Sequence, residues 1–240
     1  MSDPPISTWT KFRSSVSEPL KPSLFESLIA EETDFVDAFY GRVEESPGQC
    51  LLVVVWKSAE AYDTFRKSFR YEELLSSLRK QSATEPETFV VDFGRVAFWW
   101  RFGPNTEIRT VYFPSSLSPQ ARKAAGDLRG LVLNMGLGIN GRLGNRAPYR
   151  GVPTCGWVDG TTTWNGKDAL ACLWCHYWAS KEAEKNFKTT ERRVPKDGES
   201  HRPLASEAFG QDLTDLGAVG WEEYHVDFEK VAKAKIVGSN

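Results

Sequence analysis

The chain has 240 residues, of which 40% are hydrophobic and 12% aromatic, with 30 basic against 32 acidic side chains and a formal net charge of −2. That balance offers no bulk attraction to a nucleic-acid backbone or an anionic bilayer, and the longest apolar run, Leu51 to Trp56, is too short to span a membrane. Four scattered cysteines (Cys50, Cys155, Cys172, Cys175) make no disulfide framework, and Met1-Ser2-Asp3-Pro4-Pro5 lacks the basic and apolar stretches of a secretory signal, so a reduced, cytoplasmic protein is expected.

In chain order, the region from Trp9 to Ser14 is read as an opening strand and Ser23 to Glu31 as a short helix. Asp34 to Glu44 and Gln49 to Trp56 follow as strands joined at Glu45-Ser46-Pro47-Gly48. Ser58 stands where an N-cap belongs. Tyr62, Phe65, Phe69, Leu74 and Leu78 then keep helical spacing up to Lys80, and Glu87 to Phe93 closes the set as a strand. Beyond it, Thr106 to Phe113 is a strand, and Ser118-Pro119 opens a helix running to Leu131–Asn134. Residues 136 to 153 form a loop rich in glycine and arginine. Cys155 to Trp164 and Asp168 to Trp178 are strands joined at Asn165-Gly166, a two-residue hairpin signal. Ser180 caps a helix through Phe187, a polar insertion spans 189 to 203, a helix covers Leu204 to Leu216, and Gly220 to Phe228 is the last strand before a polar tail from Lys230.

The two halves repeat each other. Val55-Trp56-Lys57-Ser58-Ala59-Glu60-Ala61 with Phe65 reappears 122 residues later as Tyr177-Trp178-Ala179-Ser180-Lys181-Glu182-Ala183 with Phe187. Tyr40-Gly41-Arg42-Val43 and Cys155-Gly156-Trp157-Val158 precede the two copies. Val91-Asp92-Phe93 and Val226-Asp227-Phe228 follow them. Three matches in one order imply a tandem duplication. Each half reads strand, helix, strand, strand, helix, strand, so the expected class is α+β: two ferredoxin-like modules with antiparallel four-stranded sheets, residues 1–100 and 101–240. Their bare sheet faces are expected to bury each other as an intrachain pseudo-dimer.

A strand ending in Trp-x-Ser, then a helix opening Glu-Ala with Phe nine residues after the Trp, resembles the antibiotic-biosynthesis-monooxygenase-like members of the dimeric α/β-barrel superfamily. The motif stands at Trp56, Ser58, Glu60, Ala61 and Phe65, and again at Trp178, Ser180, Glu182, Ala183 and Phe187. The resemblance covers roughly residues 30 to 230 and is closest in kind to the tandem forms of fungal natural-product pathways. It implies a barrel of paired sheets, a cavity between each sheet and its helices, and oxidation of aromatic polyketides without metal or flavin. Relatives cyclise polyketide chains by acid–base chemistry or bind haem. The chain departs from the pattern where cofactor-free oxygenases carry Asn four residues before the Trp, which here is Leu52 and Trp174. It also departs where haem-degrading relatives carry His ten residues after it, which here is Arg66 and Lys188. Tyr62 matches a tyrosine of some cofactor-free oxygenases.

Strand alternation puts Trp174, His176 and Trp178 on one face. With the motif Trp in the cavity, as the resemblance implies, His176 is the candidate acid/base; its other reading is a hydrogen-bonded core residue. The first module has Val54 at that place and Val90 where the second has His225, so the working site is expected in the second half only. The strand with Arg109 and Tyr112 is placed between the two histidines. Asp227, matched by Asp92, reads as a strand-end hydrogen-bonding residue or as a partner orienting a histidine. The catalytic candidates are therefore His176, His225, Tyr112 and Asp227. The substrate-binding candidates are Trp174, Trp178, Trp157, Arg109 and Tyr62. The loop with Arg142, Arg146, Tyr149 and Arg150 is a lid, an anion clamp or plain surface.

Two letter matches fail on context. The G-x-G-x-x-G at 136–141 follows a helix, and Cys172 and Cys175 of the C-x-x-C-H run fall on opposite strand faces. Cys172 and His176 are about 13 Å apart along a strand, too far for one zinc. No metal and no cofactor is expected. The reading is a secondary-metabolism enzyme doing cofactor-free cyclisation, isomerisation or elimination on a small aromatic, polyketide- or terpenoid-type substrate. Cofactor-independent monooxygenation and non-catalytic binding are the alternatives. No nucleic-acid or membrane partner is expected, and the assembly is a monomeric pseudo-dimer or a homodimer.

Overall fold

A computed structural model describes residues 4–15, 19–29, 33–81, 84–94, 99–128, 130–131, 148–189 and 204–231. The chain divides into two units, Met1–Trp99 with the segment from Asp227 onward, and Trp100–Val226.

In the first unit, β1 (Ile6–Arg13), β2 (Phe35–Arg42), β3 (Gln49–Trp56) and β4 (Glu87–Asp92) lie in the order β2-β3-β1-β4, all antiparallel. The connection after β1 is a 3-10 helix (Pro22–Leu28), and that after β3 is α1 (Ala59–Arg66) and α2 (Phe69–Arg79). The expected single helix from Ser58 to Lys80 is broken because the Ser68 hydroxyl donates to the Phe65 carbonyl at 2.6 Å, offering the backbone a partner outside the helix. In the expected tail, Glu229–Lys230 pairs with β2, and the Tyr40 hydroxyl donates to Glu229 at 2.9 Å.

In the second unit, β5 (Thr106–Pro114), β6 (Tyr149–Val158), β8 (Lys167–Trp178) and β9 (Gly220–Val226) repeat the order as β6-β8-β5-β9. A short β7 (Thr162–Trp164) extends β8 through Asn165 and Gly166, both at positive φ (49° and 74°), which is the hairpin the Asn-Gly pair predicts. The helices are α3 (Pro119–Asp127), α4 (Lys181–Lys188) and α5 (Ala205–Asp215). α3 ends earlier than expected: Leu128 turns extended, and its carbonyl accepts the Trp174 indole N–H at 3.0 Å. β6 begins at Tyr149, so Tyr149 and Arg150 belong to a strand; the rest of the expected loop, with Arg142 and Arg146, and the insertion at 190–203 lie outside the described residues. The α+β class, two ferredoxin-like antiparallel sheets, is what the repeat implied.

The repeated motif has one physical meaning in both units. Ser58 and Ser180 cap their helices, their hydroxyls accepting the N–H of Ala61 at 3.2 Å and Ala183 at 3.1 Å. Phe65 and Phe187 fold back onto Trp56 and Trp178, with ring centroids 4.9 and 5.7 Å apart. Both indoles are buried under their helices, each in its own unit's core.

Candidate functional site

The two sheets differ in one row of residues. In the first unit Thr8 of β1 is paired with Val54 on one side and Val90 on the other. In the second, the same register places hold Glu107, His176 and His225. The Trp56 indole donates to the Thr8 hydroxyl at 2.9 Å, whereas the Trp178 indole donates to the Glu107 carboxylate at 2.6 Å. One row further, Thr10 and Thr88 are replaced by Arg109 and Glu223. A neutral seam has become a charged one.

Glu107 is fully buried and gathers its neighbours. Lys188 Nζ lies 3.2 Å from Oε2; Arg109 Nη2 and His176 Nδ1 lie 3.4 and 3.7 Å from Oε1. Arg109 and Lys188 both bond Glu223, and Lys188 reaches Glu184 at 2.6 Å, one turn back on α4. Glu184 meets His225 Nε2 at 2.9 Å. Burial works against the Glu107 charge, but His176, Arg109 and Lys188 outweigh it and hold its pKa below the usual carboxylate range. Burial likewise opposes the charge on Glu184, and its bonds to His225 and Lys188 lower its pKa. For Lys188, burial is overcome by Glu107 and Glu223, and the ammonium is held more firmly than usual.

His176 is buried completely between Trp178 (6.0 Å), Phe209 (6.1 Å) and Tyr149 (6.5 Å). Its Nε2 accepts the Leu131 backbone N–H at 3.4 Å, which leaves the proton on Nδ1. Burial drives its pKa down to about 4, so at neutral pH the ring is uncharged. His225 has a side chain 19% exposed and is the histidine nearer solvent.

Arg109, Trp174 and Trp178 share the helix-covered face with His176. Trp157 is on the same side toward α3, against Phe113 (5.5 Å) and under the Arg122 guanidinium (4.6 Å). Tyr112 is on the opposite face, stacked on Trp164 at 4.1 Å with its hydroxyl donating to Glu222. Tyr62 belongs to the first unit, 5.5 Å from Trp56, and Asp227 also falls in that unit. Asp92, its counterpart, accepts the Gly94 N–H at 2.6 Å, a strand-end bond. Sequence reasoning missed Glu107, Glu184, Lys188 and Glu223. The Glu-x-x-x-Lys spacing of 184 and 188 and the Thr8-to-Glu107 difference were the available signals.

Oxygen and nitrogen atoms of Glu107, Glu184, Glu223 and His225 all lie within 4.8 Å of one another, a donor set suited to a divalent cation. Lys188 Nζ bonds all three carboxylates, so the chain supplies its own cation there.

No family model matches the chain, and no curated protein matches it in sequence. Solved structures do match in fold. An anthrone oxidase-like protein is 14% identical, with 100% of this chain and 99% of that one covered and a TM-score of 0.59. A "putative monooxygenase" from Lactobacillus acidophilus is 11% identical (96% and 95% covered, TM-score 0.53), and one from Fusobacterium nucleatum 10% identical (96% and 95%, TM-score 0.54). The chain shares their fold.

Proposed function

We propose that the chain is a small-molecule enzyme of the antibiotic-biosynthesis-monooxygenase-like kind, with its working site in the second unit. The reaction is proton transfer on a small aromatic substrate of secondary metabolism, leading to cyclisation, isomerisation or elimination. The reading rests on one observation: a row of His176, Glu107 and His225, the first two fully buried, with Glu184 against it, where the sister unit has Val54, Thr8 and Val90. A duplicated module has no packing reason to exchange an uncharged row for buried charge, which is costly to desolvate and is retained where it has a task.

Within the row, His225 is the proton carrier. Glu184 orients its ring and stabilises its charged form, and its partial exposure lets a substrate reach it. His176, with Nε2 occupied and its pKa near 4, is a hydrogen-bond donor at neutral pH.

Cofactor-independent monooxygenation is the second reading. It is favoured by the likeness to proteins named as monooxygenases and as anthrone oxidase-like. The two share a first step, removal of a proton from carbon, since the carbanion so formed can itself reduce dioxygen. Anthrone offered to the chain in an oxygen electrode separates them. Uptake of dioxygen that stops in His225→Asn supports oxygenation, and product formed under anaerobic conditions excludes it. Turnover that survives both His225→Asn and Glu184→Gln refutes the site.

A further inference from the structure

Cys50, Cys172 and Cys175 are buried, and Cys155 is the one cysteine of the four that is partly exposed. The Cys172-x-x-Cys175 spacing puts that pair on opposite faces of β8, so it cannot close on itself. The pairing of β6 with β8 supplies a different partner. Cys155 stands opposite Trp174 and Trp157 opposite Cys172, so Cys155 and Cys172 occupy diagonal places on one face. Their side chains meet. The Cys172 thiol donates to the Cys155 sulfur, and the Cys155 thiol donates in turn to the Gly126 carbonyl, in the last turn of α3, at 3.2 Å.

The two sulfurs are chemically unlike. The bond from Cys172 holds the Cys155 pKa below the ordinary thiol range, against burial and the nearby Asp127 charge. Burial, and then the bond to Cys155, raises that of Cys172 well above it. The partly exposed sulfur is therefore the one to meet an oxidant, and the buried one stands ready to resolve it. Diagonal places on an antiparallel pair lie about 7–8 Å apart at Cα, and a disulfide spans at most about 7 Å. Joining the sulfurs asks β6 and β8 for a small backbone shift, and a strained disulfide is a readily reduced one.

We propose that Cys155 and Cys172 are a peroxide-responsive pair that closes to a reversible disulfide and loosens the last turn of α3. The Cys155 thiolate attacks one oxygen of hydrogen peroxide. The O–O bond breaks, the sulfur keeps one oxygen as a sulfenic acid, and the hydroxide released takes up the thiol proton as water. The Cys172 sulfur then attacks the sulfenyl sulfur. The S–S bond forms, and the hydroxyl leaves with the Cys172 proton as a second water. Two thiols thus give two electrons to one peroxide, and a small thiol reverses the link by exchange, itself ending as a disulfide. In the closed form neither sulfur carries hydrogen, so the Gly126 carbonyl loses its donor. Gly126 lies close on β6, where a Cβ would stand 3.6 Å from the Trp157 indole nitrogen, and Leu128, two residues on, holds the Trp174 indole. The device does not depend on the proton-transfer reading.

Hydrogen peroxide, equimolar with the wild-type chain, is expected to join the peptides carrying Cys155 and Cys172, read by mass spectrometry of an unreduced digest, and dithiothreitol to part them. Cys175→Ala is expected to keep the link. Cys172→Ala is expected to lose it and to leave Cys155 as a sulfenic acid that dimedone traps. Cys155→Ser alters a partly exposed position and keeps a donor for Gly126, so this variant is expected to fold as wild type does and to form no link. Amide hydrogen exchange across α3 is expected to be about threefold faster in the oxidised wild-type chain, the loss of one weak hydrogen bond, and unchanged by peroxide in Cys155→Ser. Oxidation of Cys155 without a link overturns the proposal, and so do a Cys155–Cys175 link and resistance of all four thiols to peroxide. A link that leaves α3 exchange unaltered refutes the loosening.

Discussion

Glu107→Ala is the perturbation that the charged row makes most informative. The change removes a carboxylate that accepts the Trp178 indole N–H at 2.6 Å, a charged hydrogen bond whose loss costs about 1.5–3 kcal/mol. It also takes a counter-charge from Arg109 and Lys188. Breaking a buried pair costs about 3–5 kcal/mol when the partner is stranded. Here both cations keep Glu223, and Lys188 keeps Glu184 as well, so the lower end, about 3 kcal/mol, is expected. Thr8→Ala breaks the sister bond, Trp56 to a neutral hydroxyl at 2.9 Å, and is expected to cost about 1 kcal/mol. Urea unfolding followed by tryptophan fluorescence and by far-ultraviolet circular dichroism measures both, since each variant touches an indole in a different unit. The difference of about 2 kcal/mol is thirtyfold in the unfolding equilibrium. If Glu107→Ala costs no more than Thr8→Ala, Glu107 is not the hub of the cluster.

The pH dependence follows from His176. Its pKa is about 4 in the folded chain against about 6.5 unfolded, so between those values the unfolded state binds a proton that the native state does not. Stability is therefore lost as pH falls from about 6.5 to about 4, by about 3 kcal/mol, and His176→Gln is expected to flatten a plot of urea midpoint against pH over that window. Lys188→Met removes the internal cation, so millimolar Mn2+ or Co2+ is expected to raise the melting temperature of this variant and not of wild type; equal responses would refute the cation role of Lys188. Gly130→Ala is expected to lower the melting temperature, because φ is +70° and the new Cβ would lie 2.7 Å from His176 Nε2.

Much of the fold was legible because the repeat reports one supersecondary unit twice, and the same Ser cap and Trp–Phe packing recur in each copy. Strand alternation put His176, Trp174 and Trp178 on one face, and a helix start was readable from Ser180. The helix break at Ser68 was not, because it depends on a side-chain bond to Phe65 that spacing does not reveal. The ends of α3 and β6 were missed for a similar reason: Leu128 and Tyr149 are placed by partners in Trp174 and Trp178, distant in sequence. Glu107 was invisible as a site residue because an acidic side chain on a strand reads as solvent-facing. Only pairing reveals that it lies between two histidines. Tyr112, at an odd spacing from Glu107 on the same strand and paired with Ala171, illustrates the converse: it faces the other way by parity.

The central claim is that the charged row of the second unit removes a proton from carbon. Deuterium incorporation at the benzylic position of anthrone, followed by proton NMR in heavy water under anaerobic conditions, reads that step alone. Exchange about a hundredfold above buffer is expected in wild type and in Thr8→Val, falling to the buffer rate in His225→Asn. Undiminished exchange in His225→Asn, or loss of exchange in Thr8→Val, would contradict the account.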